Sequence, residues 1–233
     1  MPYSLMIPAR FNGPPDSGHG GYSAGLGASL VEGTAEVRLK APPPLETPMT
    51  VERRGDGSAA LVDDGRVVIE ARPGEVELEL PEPVSPELAE EATVGSFFLG
   101  PDHPFPTCFA CGPRREEGDG LRLFAGVVAG TAVSAVPWTP AAEFGTAGMV
   151  DPLFVWTALD CPSSAPIMGG PPCVLASLTV DLRRPVAVGE PHVIGAWEIE
   201  REGRKRHSGV VLWDAAGTVR ALGRALWIEL RMA

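Results

Sequence analysis

The sequence predicts an α+β fold: two curved antiparallel β-sheets, each wrapping a central α-helix, joined edge to edge into one long sheet. Three observations predict it. First, a helix signal followed by several strand signals occurs twice along the 233 residues. Second, Val37-Arg38-Leu39-Lys40-Ala41-Pro42 is echoed by Val180-Asp181-Leu182-Arg183-Arg184-Pro185, an offset of 143 that Pro48 and Pro191, and Val51 and Ile194, share. Third, each half carries an Asp/Gly turn inside a hairpin, Asp63-Asp64-Gly65 and then Asp214-Ala215-Ala216-Gly217. Agreement of element order with spacing marks an internal repeat. Joining the two sheets also hides two open edges. Residues 1–80 are expected to form the first repeat, 81–100 a linker with a short helix, and 101–233 the second repeat.

Tyr3 to Arg10 reads as an opening strand that Pro8 confines to an edge. A loop rich in Gly and Pro, Phe11 to Gly18, leads to Ser17 as helix N-cap and a helix reaching about Val31. Glycine costs a helix up to about 1 kcal/mol against alanine, so Gly25 and Gly27 are expected where a neighbour packs closely. Thr34 to Lys40 alternates with the period of a half-buried strand and stops at Pro42-Pro43-Pro44. Met49 to Arg53 is a strand, and Ser58 to Val62 with Arg66 to Ala71 a hairpin. Val76 to Leu80 alternates again.

In the second half, His103 to Gly112 is a loop carrying Cys108 and Cys111, followed by strands at Leu121 to Val128 and Thr131 to Trp138. Asp151 as N-cap and Pro152 at the first helical position start the second helix, which is expected to stop at Pro162. Strands follow at Val174 to Leu182, His192 to Glu200, His207 to Trp213 and Val219 to Leu230.

The totals narrow the function. A net charge of −11 without a basic stripe argues against nucleic acid as a partner. The one dense basic cluster, Arg201 to Arg206, is broken by Glu202 and Gly203 and reads as a hairpin turn, although a CoA-like ligand would suit it. No apolar run approaches the ~20 residues of a membrane span. Met1 to Arg10 lacks the charged-then-apolar pattern of a secretory leader, so no membrane partner, a cytoplasmic location and four reduced cysteines are expected.

Chemistry concentrates at Ser17-Gly18-His19-Gly20-Gly21-Tyr22. Two glycines after a histidine let a backbone approach a ligand, and the free N–H groups of a helix's first turn hold an anion or polarise a carbonyl. The second helix supplies Asp160. A carboxylate near a helix C-terminus is unfavourable for the dipole, which speaks against a purely structural place. The alternatives are a turn-bonded Asp160 and a His-Gly-Gly that is merely a tight turn. Cys108 and Cys111 have zinc-like spacing, but Cys161 and Cys173 are not a second such pair, so a packed, reduced loop without metal is expected, with His103 a further possible ligand. No histidine is placed by sequence to activate Cys161. Trp138, Phe144, Phe154 and Trp156 line either a pocket or the core.

At three places the chain resembles the hotdog-fold acyl-CoA thioesterases in a tandem double-hotdog arrangement. They are His19-Gly20-Gly21; Cys108-Phe109-Ala110-Cys111-Gly112 with Gly118-Asp119-Gly120-Leu121-Arg122, similar to the opening of phenylacetate-type thioesterase domains; and Arg184 to Pro191 with Gly203-Arg204-Lys205. The resemblance implies a catalytic acid nine residues after the histidine, where this chain has Ala28. Nine positions before Asp160 stand Asp151 and Pro152 instead of the His-Gly pair. One half thus keeps the glycines and the other the acid, which implies one composite site per chain.

The resemblance implies an acyl-CoA or acyl-carrier thioesterase without cofactor, CoA being part of the substrate, and a homodimer. Gly20 or Gly21 would donate to the oxyanion, and Asp160 would act as base or nucleophile. Asn12 would orient water, His19 the loop, and Thr157 the carboxylate. Tyr22 and Trp156 are further substrate-side candidates. The rival readings are a non-catalytic acyl-CoA- or lipid-binding protein, and a hydratase or dehydratase.

Overall fold

The structure is a computed structural model describing residues 3–231. Met1, Pro2, Met232 and Ala233, at the outer limits of the two expected repeats, lie outside the described residues. The elements run in chain order as β1 (Ser4–Leu5), α1 (Gly20–Ala28), β2 (Ala35–Leu39), β3 (Met49–Arg53), β4 (Ala59–Asp63), β5 (Arg66–Pro73), α2 (Pro86–Thr93), β6 (Gly126–Val127), β7 (Ser134–Trp138), β8 (Gly145–Thr146), β9 (Met149–Val150), α3 (Pro152–Ser164), β10 (Cys173–Leu182), β11 (His192–Glu202), β12 (Lys205–Asp214) and β13 (Val219–Glu229).

Eleven strands form one antiparallel sheet in the order β1-β3-β4-β5-β2-β10-β13-β12-β11-β7-β6. Each half has the same meander, and the halves meet where β2 pairs with β10. There Ala35 faces Val180, Glu36 faces Thr179 and Val37 faces Leu178. With the offset of 143 read from the sequence, Glu36 pairs with its own counterpart Thr179. A two-fold axis through that pair relates the flanking residues as well. The hairpin of β4 and β5 turns at Asp64 and Gly65, whose φ of 44° and 75° are what a two-residue turn of matching twist requires. Arg201 to Arg206 spans the turn joining β11 to β12, where Arg206 pairs with Glu198 and Glu229.

Helices α1 and α3 lie against each other on the concave side of the sheet and form the main core with Ile69, Val37, Leu178, Ile194 and Leu212. The glycines of α1 permit this closeness. A Cβ on Gly21 would sit 2.6 Å from the Trp156 carbonyl oxygen of α3, and one on Gly27 would sit 2.9 Å from Ile69 of the sheet. A smaller cluster covers the outer face of the second half, where Ala89 and Ala92 of α2 pack on Ala135, Val193, Val211 and Trp213.

Several local expectations are corrected. Helix α1 is capped by His19, not Ser17. The His19 backbone is extended and its Nδ1 accepts the Tyr22 N–H at 3.2 Å, while the Ser17 hydroxyl donates to Pro43. The helix ends at Ala28 rather than about Val31. Helix α3 runs past Pro162 to Ser164, and its last-turn carbonyls on Asp160 and Cys161 accept the hydroxyls of Ser163 and Ser164.

Val76 to Leu80 is not a strand; Val76 and Leu78 alternate because they pack on the α2 cluster, without a backbone partner. Tyr3 to Arg10 is a strand only at Ser4–Leu5 and enters a short 3₁₀ turn at Ala9. Of Leu121 to Val128 only Gly126–Val127 is strand, because the Leu121 and Leu123 N–H groups bond the Phe109 and Ala110 carbonyls of the cysteine loop. Among the described residues, no helix is long and apolar enough to cross a membrane.

Candidate active site

The site lies where the N-terminus of α1 meets the last turns of α3. Gly21 N–H donates to Asp160 Oδ2 at 2.6 Å, a contact between the two halves of the chain. His19 Nε2 is 3.3 Å from the same oxygen. Because Nδ1 of that ring accepts from Tyr22, the proton of a neutral His19 sits on Nε2 and faces Asp160. Asp160 Oδ1 is buried and has no partner among the described residues. An unpaired buried carboxylate oxygen is costly, so such an atom marks a place for a proton or a bound molecule.

Electrostatics follow from that placement. Burial pushes the Asp160 carboxyl up from 3.8 to about 6, against the opposing pull of His19 and the Gly21 N–H. Burial pulls His19 down, but the neighbouring Asp160 carboxylate and Cys108 outweigh it and hold the imidazole above its ordinary value. Cys108 lies well below the ordinary thiol range because the Cys111 and Cys161 thiols donate to it and His19 is near, while Cys161 and Cys111 are raised.

A cavity of about 600 Å³ opens onto these groups. Its apolar wall includes Phe98, Phe105, Met168, Leu175 and Trp227, and His19, Gly20, Asp160 and Cys161 line its polar end. The Gly20 N–H, in the first turn of α1, has no partner among the described residues. It is the free donor of the pair; Gly21 spends its N–H on Asp160. That narrows the expectation that either glycine serves an oxyanion.

The structure brings together Asp160, Gly20, Gly21 and His19, and engages the side chains of the other candidates elsewhere. Asn12 does not border the cavity; its amide donates to the Gly13 carbonyl and its Oδ1 accepts from Arg115, tying the first-half loop to the second. The Thr157 hydroxyl donates to the Leu153 carbonyl at 2.7 Å rather than to the carboxylate. Tyr22 is buried and stacks on Phe11 with ring centroids 4.1 Å apart. Trp156 is a core residue whose backbone oxygen abuts Gly21. Trp138, Phe144 and Phe154 are likewise absent from the cavity wall.

What sequence reasoning missed is the cysteines. Cys161 Sγ lies 3.3 Å from His19 Nε2 and 3.6 Å from Cys108 Sγ. No histidine is placed by sequence beside Cys161; the fold brings His19 to it. His103 is not free to be a ligand, because its Nδ1 accepts the Phe105 N–H and its Nε2–H donates to the Cys111 carbonyl. The Cys-x-x-Cys-Gly motif was a visible signal, but nothing in its spacing points to position 161. The cluster is not a nucleophile triad, since carboxylate and thiol face the same nitrogen of His19 while the other nitrogen is held by Tyr22.

No protein-family model matches the sequence, and no curated protein matches it. Solved structures do share its shape. A conserved protein of unknown function with hot dog fold from Alicyclobacillus acidocaldarius superposes with a TM-score of 0.64 at 14% identity, over 99% of this chain and 93% of that one. The chain is a double hotdog. A candidate thioesterase from Novosphingobium aromaticivorans matches this double hotdog with a TM-score of 0.66 at 16% identity, over 98% of this chain and 95% of that one. The tesB protein of Mycobacterium avium subspecies paratuberculosis matches at 0.62 and 12% identity, over 97% and 91%. At such identities the likeness is one of fold. In the double hotdog described here, the candidate groups Gly20, Gly21, His19 and Asp160 lie at the junction of the two helices and not on the long sheet itself.

Proposed function

We propose that this double hotdog hydrolyses an acyl thioester at the junction of α1 and α3. The observation that carries the reading is Asp160: one oxygen is fixed by Gly21 N–H at 2.6 Å, the other is buried without a partner among the described residues, and the residue borders an apolar cavity. The neighbours named as thioesterases support the same reading through their fold.

In the proposed reaction the acyl chain occupies the wall made by Phe98, Phe105, Met168, Leu175 and Trp227. The thioester carbonyl oxygen accepts the Gly20 N–H. That donor and the helix dipole stabilise the negative charge that develops on the oxygen. Asp160, ionised above about pH 6, takes a proton from water through Oδ1 while the water oxygen attacks the carbonyl carbon. The tetrahedral intermediate collapses by breaking the C–S bond. The departing thiolate takes the proton that Asp160 removed from water, and the products are a carboxylic acid and a free thiol. A carboxyl value close to neutrality suits a group that must be both ionised and basic. His19 caps the helix that carries the donors and steadies the carboxylate. CoA or an acyl carrier as the thiol, and a pair of chains as the assembly, belong to this proposal.

The test is release of free thiol from a panel of acyl-CoAs by wild type and Asp160→Asn in parallel. Turnover that falls at least about 100-fold, or ~3 kcal/mol of barrier, in a folded variant is the expected result. Equal background release from both proteins would overturn the reading. Stabilisation of both by the same acyl-CoAs would then favour a binding protein.

A further inference from the structure

Three cysteine thiols and one imidazole, drawn from three distant parts of the sequence, gather at the polar end of the cavity. His19 caps α1, Cys108 and Cys111 sit in the loop between α2 and β6, and Cys161 belongs to α3. His19 Nε2 and the sulfurs of Cys108 and Cys161 all lie within 4.8 Å of one another. Those two sulfurs are 3.6 Å apart, in contact across 53 positions of the chain. Cys108, Cys111 and Cys161 are free thiols, buried from bulk solvent, yet all three border the cavity. The arrangement of Asp160 and Gly20 uses none of these sulfurs.

Proton positions make the two sulfurs unequal. His19 Nδ1 accepts the Tyr22 N–H, so Nε2 carries the ring proton and is a donor. It faces Cys161 Sγ at 3.3 Å. Cys161 accepts there and has its own S–H to give to Cys108. The Cys111 thiol gives a second hydrogen bond to the same Cys108 sulfur. Donors converging on one sulfur favour its anion. The bonds from Cys111 and Cys161 hold Cys108 well below the ordinary thiol range, while the bond to Cys108, together with burial, raises Cys161. A thiolate in contact with a protonated thiol is the pairing of an oxidisable cysteine with a resolving one.

We propose that Cys108 and Cys161 are a peroxide-reactive pair: an organic hydroperoxide held in the cavity oxidises Cys108, and Cys161 resolves the product into a Cys108–Cys161 disulfide. The Cys108 thiolate attacks the terminal oxygen of R–O–O–H, forming an S–O bond as the O–O bond breaks. Cys108 becomes a sulfenic acid, and the alkoxide takes a proton from water and leaves as an alcohol. The Cys161 sulfur then attacks the sulfenic sulfur. The S–O bond breaks, and the hydroxyl leaves as water with the Cys161 proton. The two sulfurs give up two electrons in all, and the peroxide takes both. The final step needs a further approach of about 1.5 Å between the sulfurs, on the scale of side-chain rotation. The class of peroxide follows from the wall: Phe98, Phe105, Met168, Leu175 and Trp227 would hold an apolar chain, which hydrogen peroxide lacks. The pair shares the cavity with the proposed hydrolysis and does not require it.

The test uses the full chain, reduced with dithiothreitol, freed of it and exposed to cumene hydroperoxide. Wild type should lose the mass of two hydrogens, and peptide mapping without reductant should join the Cys108 and Cys161 peptides. Dithiothreitol should restore the starting mass. At neutral pH the reaction should be about 10-fold or more faster than that of free cysteine, because an ordinary thiol is only a few per cent thiolate there. It should also be faster than the reaction with hydrogen peroxide. Cys161→Ser should stop with one oxygen gained on Cys108, trapped by dimedone. Cys108→Ser should form no cross-link and react no faster than free cysteine. Cys173→Ser should behave as wild type, because Cys173 borders the cavity but bonds the Pro171 carbonyl outside the cluster. Circular dichroism establishes that each variant is folded; if the serine variants do not fold, the wild-type peptide map decides. A Cys108–Cys111 link, no link, or oxidation no faster than that of free cysteine would overturn the pair. Hydrogen peroxide reacting as fast as cumene hydroperoxide would overturn the organic class. Mass is read without any acyl thioester present, so failure of this pair and failure of the hydrolase reading are told apart.

Discussion

Replacing Asp160 by asparagine should make the protein more stable at neutral pH while removing the proposed hydrolysis. The carboxyl is buried and rises from 3.8 to about 6 on folding. The folded value lies above the unfolded one, so the folded state prefers the protonated acid. That preference contributes fully below about pH 4 and is lost as the pH climbs through about 6. Above it, folding must bury an ion. The gap between 3.8 and about 6, at about 1.4 kcal/mol for each pH unit, comes to ~3 kcal/mol. Asp160→Asn carries no charge at any pH and keeps an oxygen for the Gly21 N–H. It should exceed wild type by up to ~3 kcal/mol at about pH 8, and the two should converge at about pH 4. Urea unfolding at the two pH values reads the difference directly. A variant no more stable than wild type at about pH 8, or one with the same advantage at both pH values, would refute the burial argument. Opposite effects on stability and activity are the pattern expected where a functional group is held against its own preference.

The same carboxyl fixes a second expectation: kcat/KM for thioester hydrolysis should rise with pH through about 6 and level off above, and a flat profile across that region would remove Asp160 as base. Gly21→Ala would place a Cβ 2.6 Å from both Asp160 Cβ and the Trp156 carbonyl oxygen, forcing α1 and α3 apart. Unfolding should register a loss of ~1–3 kcal/mol, and thiol release should fall with it. Ser163 is fully buried, donates to the Asp160 carbonyl and accepts the Trp227 indole N–H at 3.0 Å. Ser163→Ala leaves that N–H unpaired and should cost ~1–3 kcal/mol in denaturant unfolding, with a change in tryptophan emission.

Much of the fold is legible along the chain because its signals are local. Period-two alternation over Thr34 to Lys40 places β2, and Asp151-Pro152 starts α3 where an N-cap and a first-turn proline should. The offset of 143 marks the repeat, and the seam is compatible with it, since Glu36 pairs there with Thr179, its counterpart. The failures are also local rules, overridden by packing. Val76 to Leu80 has a strand's pattern but no strand beside it, and α3 continues past Pro162 to Ser164, its last-turn carbonyls taking serine hydroxyls. Ser17 looks like the cap by residue type, yet its hydroxyl is taken by Pro43.

By itself the sequence determined the two-part architecture, the glycine-rich start of α1, and the presence of one acid and one pair of glycines in opposite halves. These follow from spacing, and spacing is written in the chain. The tertiary structure decided which N–H Asp160 takes, which donor is left at the cavity, and that Trp227 rather than Trp156 lines it. It also decided that Cys108 meets Cys161 and His19. Those contacts join residues far apart in the chain, and their distances are set by how closely two helices pack on a curved sheet. Gly21 allows that closeness, but no periodicity along the chain encodes the partner that fills the space.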